Sequence, residues 1–197
     1  MLLYTDEAAG GEAEGDELNS IENIMGSVHD DVLWGDDGAN ELSGHLGDDV
    51  LKGFGGADTL FGENGGDTLR GDNGQDTLDG GAGRDDLYGG NGADTFVWWD
   101  TSEVGNTAAA ADVIHDFSRA QDDLIDLSDI DADVYTAGNQ TFSFIGTDAF
   151  SGTPGEIRYY HSGGNTYIEM QTGISVDVEG VIMLAGRHDP TEGWFVL

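Results

Sequence analysis

The sequence predicts an all-β fold: a right-handed parallel β-roll of nine-residue repeats of the form GGxGxDxLx, followed by a mainly antiparallel β cap. Three fixed columns carry that expectation. Read in nines from Gly26, residues 26–97 align into eight units: GSVHDDVLW, GDDGANELS, GHLGDDVLK, GFGGADTLF, GENGGDTLR, GDNGQDTLD, GGAGRDDLY and GGNGADTFV. Position 1 is Gly in all eight, and position 4 is Gly38, Gly47, Gly56, Gly65, Gly74, Gly83 and Gly92, with His29 the exception. Position 6 holds Asp31, Asn40, Asp49, Asp58, Asp67, Asp76, Asp85 and Asp94; position 8 holds Leu33, Leu42, Leu51, Leu60, Leu69, Leu78, Leu87 and Phe96.

Each column has a physical reason. Glycine permits left-handed backbone angles and close chain approach, so six residues can turn tightly. The last three residues form a short strand in which only position 8 points inward. Two units make one coil, and successive coils pair as parallel strands about 4.8 Å apart. Eight units give four coils, a sandwich on the order of 19 Å long. Its core is a single Leu ladder. At roughly 25 cal/mol per Å² of buried apolar surface, that ladder does not outweigh an ordering entropy of about 1–2 kcal/mol per residue.

A bound cation supplies the difference. Units two apart stack, so position 6 forms two columns: Asp31, Asp49, Asp67 and Asp85 in one, Asn40, Asp58, Asp76 and Asp94 in the other. Hard oxygen donors in large, adaptable shells suit Ca²⁺, several ions of it, better than Mg²⁺, which requires a tight octahedron. Asn40 lacks the charge and His29 lacks the φ freedom of Gly, so the N-terminal sites are expected to be weaker. The position-4 glycines belong to the same turns, whose carbonyls would complete the shell.

Composition agrees. The 197 residues hold 40 Asp plus Glu against 6 Lys plus Arg, a formal net charge of −34. Such a chain repels itself unless cations neutralise it, and it makes a poor partner for nucleic acid or anionic membranes. With no cysteine there is neither a disulfide framework nor a thiolate metal site. No stretch approaches the roughly 18 apolar residues of a membrane span. The N-terminus lacks the basic and apolar regions of a signal peptide, so export is expected to use another route. Residues 1–20 read as a poorly ordered acidic segment, 21–99 as the roll with a lead-in strand at Ile21, Ile24 and Met25, and 100–197 as the cap. Within the cap, FSFIG, EIRYYHS, NTYIEMQ and SVDVEGVIML alternate as strands, and HSGGNT reads as a hairpin turn.

The nonapeptide is that of the calcium-binding RTX (repeats-in-toxin) proteins. The segment DVIHDFSRAQDDLIDLS (112–128) sharpens the likeness: it resembles the stretch after the roll in the C-terminal domain of serralysin metalloproteases, with related segments in mannuronan epimerase R-modules. The resemblance covers about residues 20–197 and implies that this segment closes the roll and contributes ligands, here Asp112, Asp116 and Asp123. It also implies secretion from a Gram-negative bacterium by a type I apparatus that reads the uncleaved C-terminus, here Glu192 followed by Trp194, Phe195, Val196 and Leu197. A last buried strand would be equally apolar. None of His29, His45, His115, His161 and His188 is followed by Glu, so the HExxH zinc helix of the protease is missing. The chain reads as the non-enzymatic module of a protein whose effector domain lies elsewhere.

Competing readings fare worse. Adjacent carboxylates such as Asp85 and Asp86 face opposite sides of a strand, whereas a glycosidase pair must face across a cleft. Carboxylates in every turn would repel the phosphate that a Gly-rich cradle binds. His115, Asp116 and Ser118 lie too close in sequence to converge as a catalytic triad. Trp98, Trp99, Tyr159, Tyr160, Tyr167 and Trp194 could stack on sugars, which leaves open a calcium-dependent polysaccharide-binding accessory role for a secreted enzyme such as an epimerase, lyase or protease. By strand alternation Trp98 or Trp99 must face inward.

Overall fold

The computed structural model describes residues 23–174 and 176–197. The expected acidic segment 1–20 and Ile21 of the lead-in strand lie outside the described residues. Strands form where a β-branched or polar residue at position 7 precedes the inward Leu: β1 (Asn23–Met25), β2 (Val32–Trp34), β3 (Glu41–Leu46), β4 (Val50–Gly56), β5 (Thr59–Gly65), β6 (Thr68–Gly74), β7 (Thr77–Asp79), β8 (Ala82–Gly83), β9 (Asp86–Asn91) and β10 (Thr95–Val97). They alternate between two sheets. One runs β1-β3-β5-β7-β10, with β8 paired to β5; the other runs β9-β6-β4-β2. All of these pairings are parallel, and Leu42, Leu60, Leu78 and Phe96 stack in one sheet as Leu33, Leu51, Leu69 and Leu87 do in the other. The architecture is the expected β-roll, with the Leu ladder as its core.

Two features differ from the sequence reading. The strands do not stop at position 9: β3 to β6 continue through the turn, pairing Phe54 with Asp72 and Gly56 with Gly74. The turn stays laddered because two left-handed residues bend it while its peptide groups still face the next coil. One is position 4, with φ of 150° at Gly65. The other is position 2, with φ of 81° at His45, 74° at Phe54, 72° at Glu63 and 70° at Asp72.

The sheets also continue past the end of the repeat. After the loop over 100–111, β11 (Asp112–Ile114) pairs with β9, and β12 (Leu124–Asp126) with β10, both parallel. Ile114 stacks on Leu87 and Ile125 on Phe96, so these strands make a fifth coil with enlarged turns. The cap adds β13 (Ser143–Phe144), β14 (Glu156–Ser162), β15 (Asn165–Gln171), β16 (Gly180–Leu184) and β17 (Phe195–Val196). The β14–β15 hairpin turns through Gly163 and Gly164, at φ 60° and 90°. β15 pairs antiparallel with β16, whose other edge lies parallel on β11. Of SVDVEGVIML the strand is Gly180–Leu184. The Glu179 carboxylate accepts the Thr172 and Gly173 N–H groups at 2.5 and 2.7 Å. The tail forms β17, parallel to β12, with Phe195 buried over Ile125. Trp98 is fully buried and Trp99 about half exposed.

Candidate metal centre

Stacking at one coil per 4.8 Å or so places each position-6 side chain under the backbone of its predecessor. Asp49 Oδ1 accepts the Asp31 N–H at 2.7 Å, Asp67 the Asp49 N–H at 2.7 Å, and Asp85 the Asp67 N–H at 2.7 Å. In the other column Asp58 accepts from Asn40 at 2.8 Å, Asp76 from Asp58 at 2.9 Å, and Asp94 from Asp76 at 3.0 Å. Both ladders run into the fifth coil, where Asp112 accepts the Asp85 N–H at 3.0 Å and Asp123 the Asp94 N–H at 3.2 Å. The repeat columns and the flanking aspartates thus form two continuous files. Asp116 stands apart, one strand end further on, accepting the N–H groups of Gly89 and Gly90 at 3.0 and 3.1 Å.

The second oxygen distinguishes the file members. Oδ2 of Asp49, Asp58, Asp67, Asp76, Asp85 and Asp94 is buried and accepts no hydrogen bond. A buried polar atom without a partner costs about 1–3 kcal/mol, more when charged, so these oxygens require a cation or a proton. The neighbouring glycine keeps a side chain off them. A Cβ on Gly62 would stand 2.5 Å from both Asp67 Oδ2 and the Gly80 carbonyl oxygen. Position 1 is therefore glycine for space beside the carboxylate, whereas positions 2 and 4 take the left-handed φ. Gly47, Gly56, Gly65, Gly74, Gly83 and Gly92 have positive φ; Gly38 and His29, both in the first coil, do not.

Electrostatics point the same way. Burial pushes Asp49, Asp58 and Asp67 up to about 6, and nearby carboxylates reinforce it against the lowering effect of the donated N–H. Asp94 rises to about 7 and Asp85 to about 8 for the same reasons. Asp112 rises to about 7 through burial, opposed by the Trp98 indole. Burial also raises Asp76, Asp116 and Asp123. Among the described residues no group of three or more Asp, Glu or His side chains is arranged to hold a metal ion. A cation in these files would meet one carboxylate per coil, with turn carbonyls as the further oxygen donors nearby. All of these donors are hard oxygens, which suits Ca²⁺.

Sequence reasoning missed several partners. Trp98 Nε1 donates to Asp112 Oδ2 at 2.8 Å, Ser118 N–H to Asp123 Oδ2 at 2.7 Å, and Gln121 Oε1 accepts the Gly92 N–H at 2.9 Å. Trp99 Nε1 donates to Asp79, a buried carboxylate at position 9. Only alternation at the Trp pair hinted at any of these. His115 stacks on Tyr88 at 4.3 Å and lies 2.8 Å from Asp86 Oδ1.

No curated relative matches the chain in sequence. Among the solved structures that share its fold are two subunits of the mannuronan C5-epimerase of Azotobacter vinelandii. The AlgE6R2 subunit is 28% identical, with a TM-score of 0.52 over 89% of this chain and 92% of that one. The AlgE6R3 subunit is 24% identical, with a TM-score of 0.50 over 95% and 86%. The profile of the family described as Peptidase M10 serralysin C terminal matches residues 17–193. With its nonapeptide coils, its paired aspartate files and that match across most of its length, the chain belongs to the serralysin C-terminal family of RTX modules.

Proposed function

We propose that this chain is a calcium-binding RTX module that folds on extracellular calcium and serves the secretion, folding and stabilisation of a type I secreted protein. One observation carries the reading: six buried aspartate oxygens without a partner, filed along the roll of a chain of net charge −34. In a low-calcium cytosol, repulsion keeps such a chain open and threadable. Outside, metal binding becomes folding free energy, with affinities of about 10⁻⁴–10⁻³ M suiting extracellular modules. The ions would sit between successive coils beside Asp49 to Asp94. The effector that such a module serves, and its export apparatus, are the partners this reading implies. No helix among the described residues is long and apolar enough to cross a membrane.

A far-UV circular dichroism titration with calcium, against matched magnesium, tests this. A steep gain of β signal between about 0.1 and 10 mM calcium, with little response to magnesium, is expected. A chain fully rolled in excess chelator would sink the switch.

A second reading, an accessory module for acidic polysaccharide, is favoured by one surface. Trp34, Lys52 and Arg70 stand in register on the outside of one sheet, gathering two of the six Lys and Arg residues onto one strip. Retention on an acidic-polysaccharide resin, lost on Lys52→Ala with Arg70→Ala, would support it.

A further inference from the structure

The two files are not open along their whole length. At each end the protein donates its own N–H groups to the oxygen that the central coils leave bare. In the first coil, Asp31 Oδ2 accepts the Ser27 N–H at 2.6 Å, and Asn40 Oδ1 accepts the Asp36 N–H at 2.8 Å. In the fifth coil, Asp112 Oδ2 accepts the Trp98 indole N–H at 2.8 Å, and Asp123 Oδ2 accepts the Ser118 N–H at 2.7 Å. Among the described residues of the files, the six aspartates between them keep an open Oδ2.

The backbone accounts for the difference at the first coil. Ser27 and Asp36 occupy position 2 without a left-handed φ, and their N–H groups turn back onto the position-6 side chain of the same unit. From His45 onward, position 2 is left-handed in every unit, through Phe54, Glu63, Asp72, Gly81 and Gly90. Asp49 Oδ2 and its successors then have no such donor. At the far end a side chain does the same work: Trp98, fully buried, reaches Asp112, which is itself fully buried.

We infer that the metal files are sealed at both ends, so that calcium is confined to the coils of Asp49, Asp58, Asp67, Asp76, Asp85 and Asp94, while Asp31, Asn40, Asp112 and Asp123 serve as hydrogen-bonded end plates. The physical argument is electrostatic. An N–H aimed at a carboxylate oxygen puts the positive end of a dipole where a cation would stand, and it already satisfies the buried oxygen. An open oxygen in a site of low dielectric has neither and draws the ion. Trp98 and Ser118 are thereby positioning residues: they end the files by occupying the last acceptors.

This inference rests on the calcium reading above, and the two can fail separately. The experiment counts calcium bound per whole chain by equilibrium dialysis in saturating calcium, for the wild type and for Asp31→Asn, Asp67→Asn, Asp76→Asn and Asp112→Asn. Circular dichroism on the same samples shows that each is rolled. Asp67→Asn and Asp76→Asn are expected to lose at least one ion each and to shift the folding midpoint to higher calcium. Asp31→Asn and Asp112→Asn are expected to keep the wild-type count. Asp31 lies in the outermost described coil, so its variant tests sealing even where the deeply buried Asp112→Asn fails to fold. Loss of an ion from Asp31→Asn or from rolled Asp112→Asn overturns the sealing. A wild type that binds no calcium overturns the calcium reading and the sealing with it.

Discussion

Glycine does different jobs at positions 1 and 4 of the repeat, and position 4 gives the clearer expected cost at the residue scale. Position-1 glycine makes room beside the aspartate. Position-4 glycine has a left-handed φ and a carbonyl of the preceding coil pressed against its Cα: a Cβ on Gly65 would strike the Gly47 carbonyl oxygen. Both atoms belong to laddered backbone, so nothing can give cheaply. Gly65→Ala is therefore expected to destabilise the calcium-loaded roll by more than about 2 kcal/mol, within the range of backbone-strain substitutions, read as a higher calcium midpoint and a lower Tm. Position 2 is left-handed too, yet Glu63 occupies it at φ 72°. A non-glycine residue there carries about 1–2 kcal/mol of strain. Glu63→Gly gives up an exposed contact with His45, worth about 0–1 kcal/mol, and the hydrogen bond from the Ser43 hydroxyl, worth about 1 kcal/mol. With the strain relieved against these losses, its stability is expected to stay within about 1 kcal/mol of the wild type. A loss as large as that of Gly65→Ala would show that Glu63 holds the turn by its side chain.

At the scale of the element, the tail joins the fold to its proposed export. β17 completes the sheet that begins at β1, and Leu127 N–H donates to the Val196 carbonyl at 2.9 Å. Phe195 lies 5.4 Å from Phe144, and Trp194 lies 5.1 Å from Phe117, ring centre to ring centre. The expected buried strand is thus present at the segment whose likeness is to a secretion signal. Phe195→Ala is expected to cost about 2–4 kcal/mol, at the lower part of the range for buried Phe because the site is at a sheet edge; thermal melts in saturating calcium measure it. A change below about 0.5 kcal/mol would mean the strand is held by its backbone alone. The elements also show what was legible. Strands two units apart had to pair, because the Leu and Asp columns repeat without a slip. The fifth coil kept the Asp and apolar columns, at Asp112 with Ile114 and Asp123 with Ile125, but insertions lengthen the spacing from Asp85 to Asp112 and from Asp94 to Asp123. Period counting loses such a coil. The position-2 φ was hidden because His45, Phe54, Glu63 and Asp72 are side chains that rarely adopt it. The Trp98 donor was hidden because a contact across a loop leaves no periodic trace.

For the whole molecule, the proposed sites would make proton and calcium alternatives for the same oxygens. An unfolded aspartate titrates near 3.8, but in the roll burial holds Asp49, Asp58 and Asp67 near 6, Asp94 near 7 and Asp85 near 8. A group whose pKa rises on folding favours the fold while it is protonated. Its contribution is therefore complete below about pH 4 and is lost as pH climbs through about 6 to 8. Repulsion acts in the same direction, since acid also reduces the net charge of −34. In chelator, the chain is expected to gain β signal as pH falls from about 8 to about 5. At a fixed pH of about 7 the open chain is already ionised, so calcium-driven rolling is expected to release few protons; at about pH 5, where the roll forms on protonated carboxylates, added calcium is expected to release them. Circular dichroism on dilute samples, with sedimentation to separate rolling from precipitation near the sequence pI of about 4.1, measures the first; a pH-stat measures the second. A chain that stays unrolled in chelator at about pH 5, and takes up calcium there without releasing protons, would show that these carboxylates are ionised before the metal arrives. Protons and calcium would then not compete for the same oxygens.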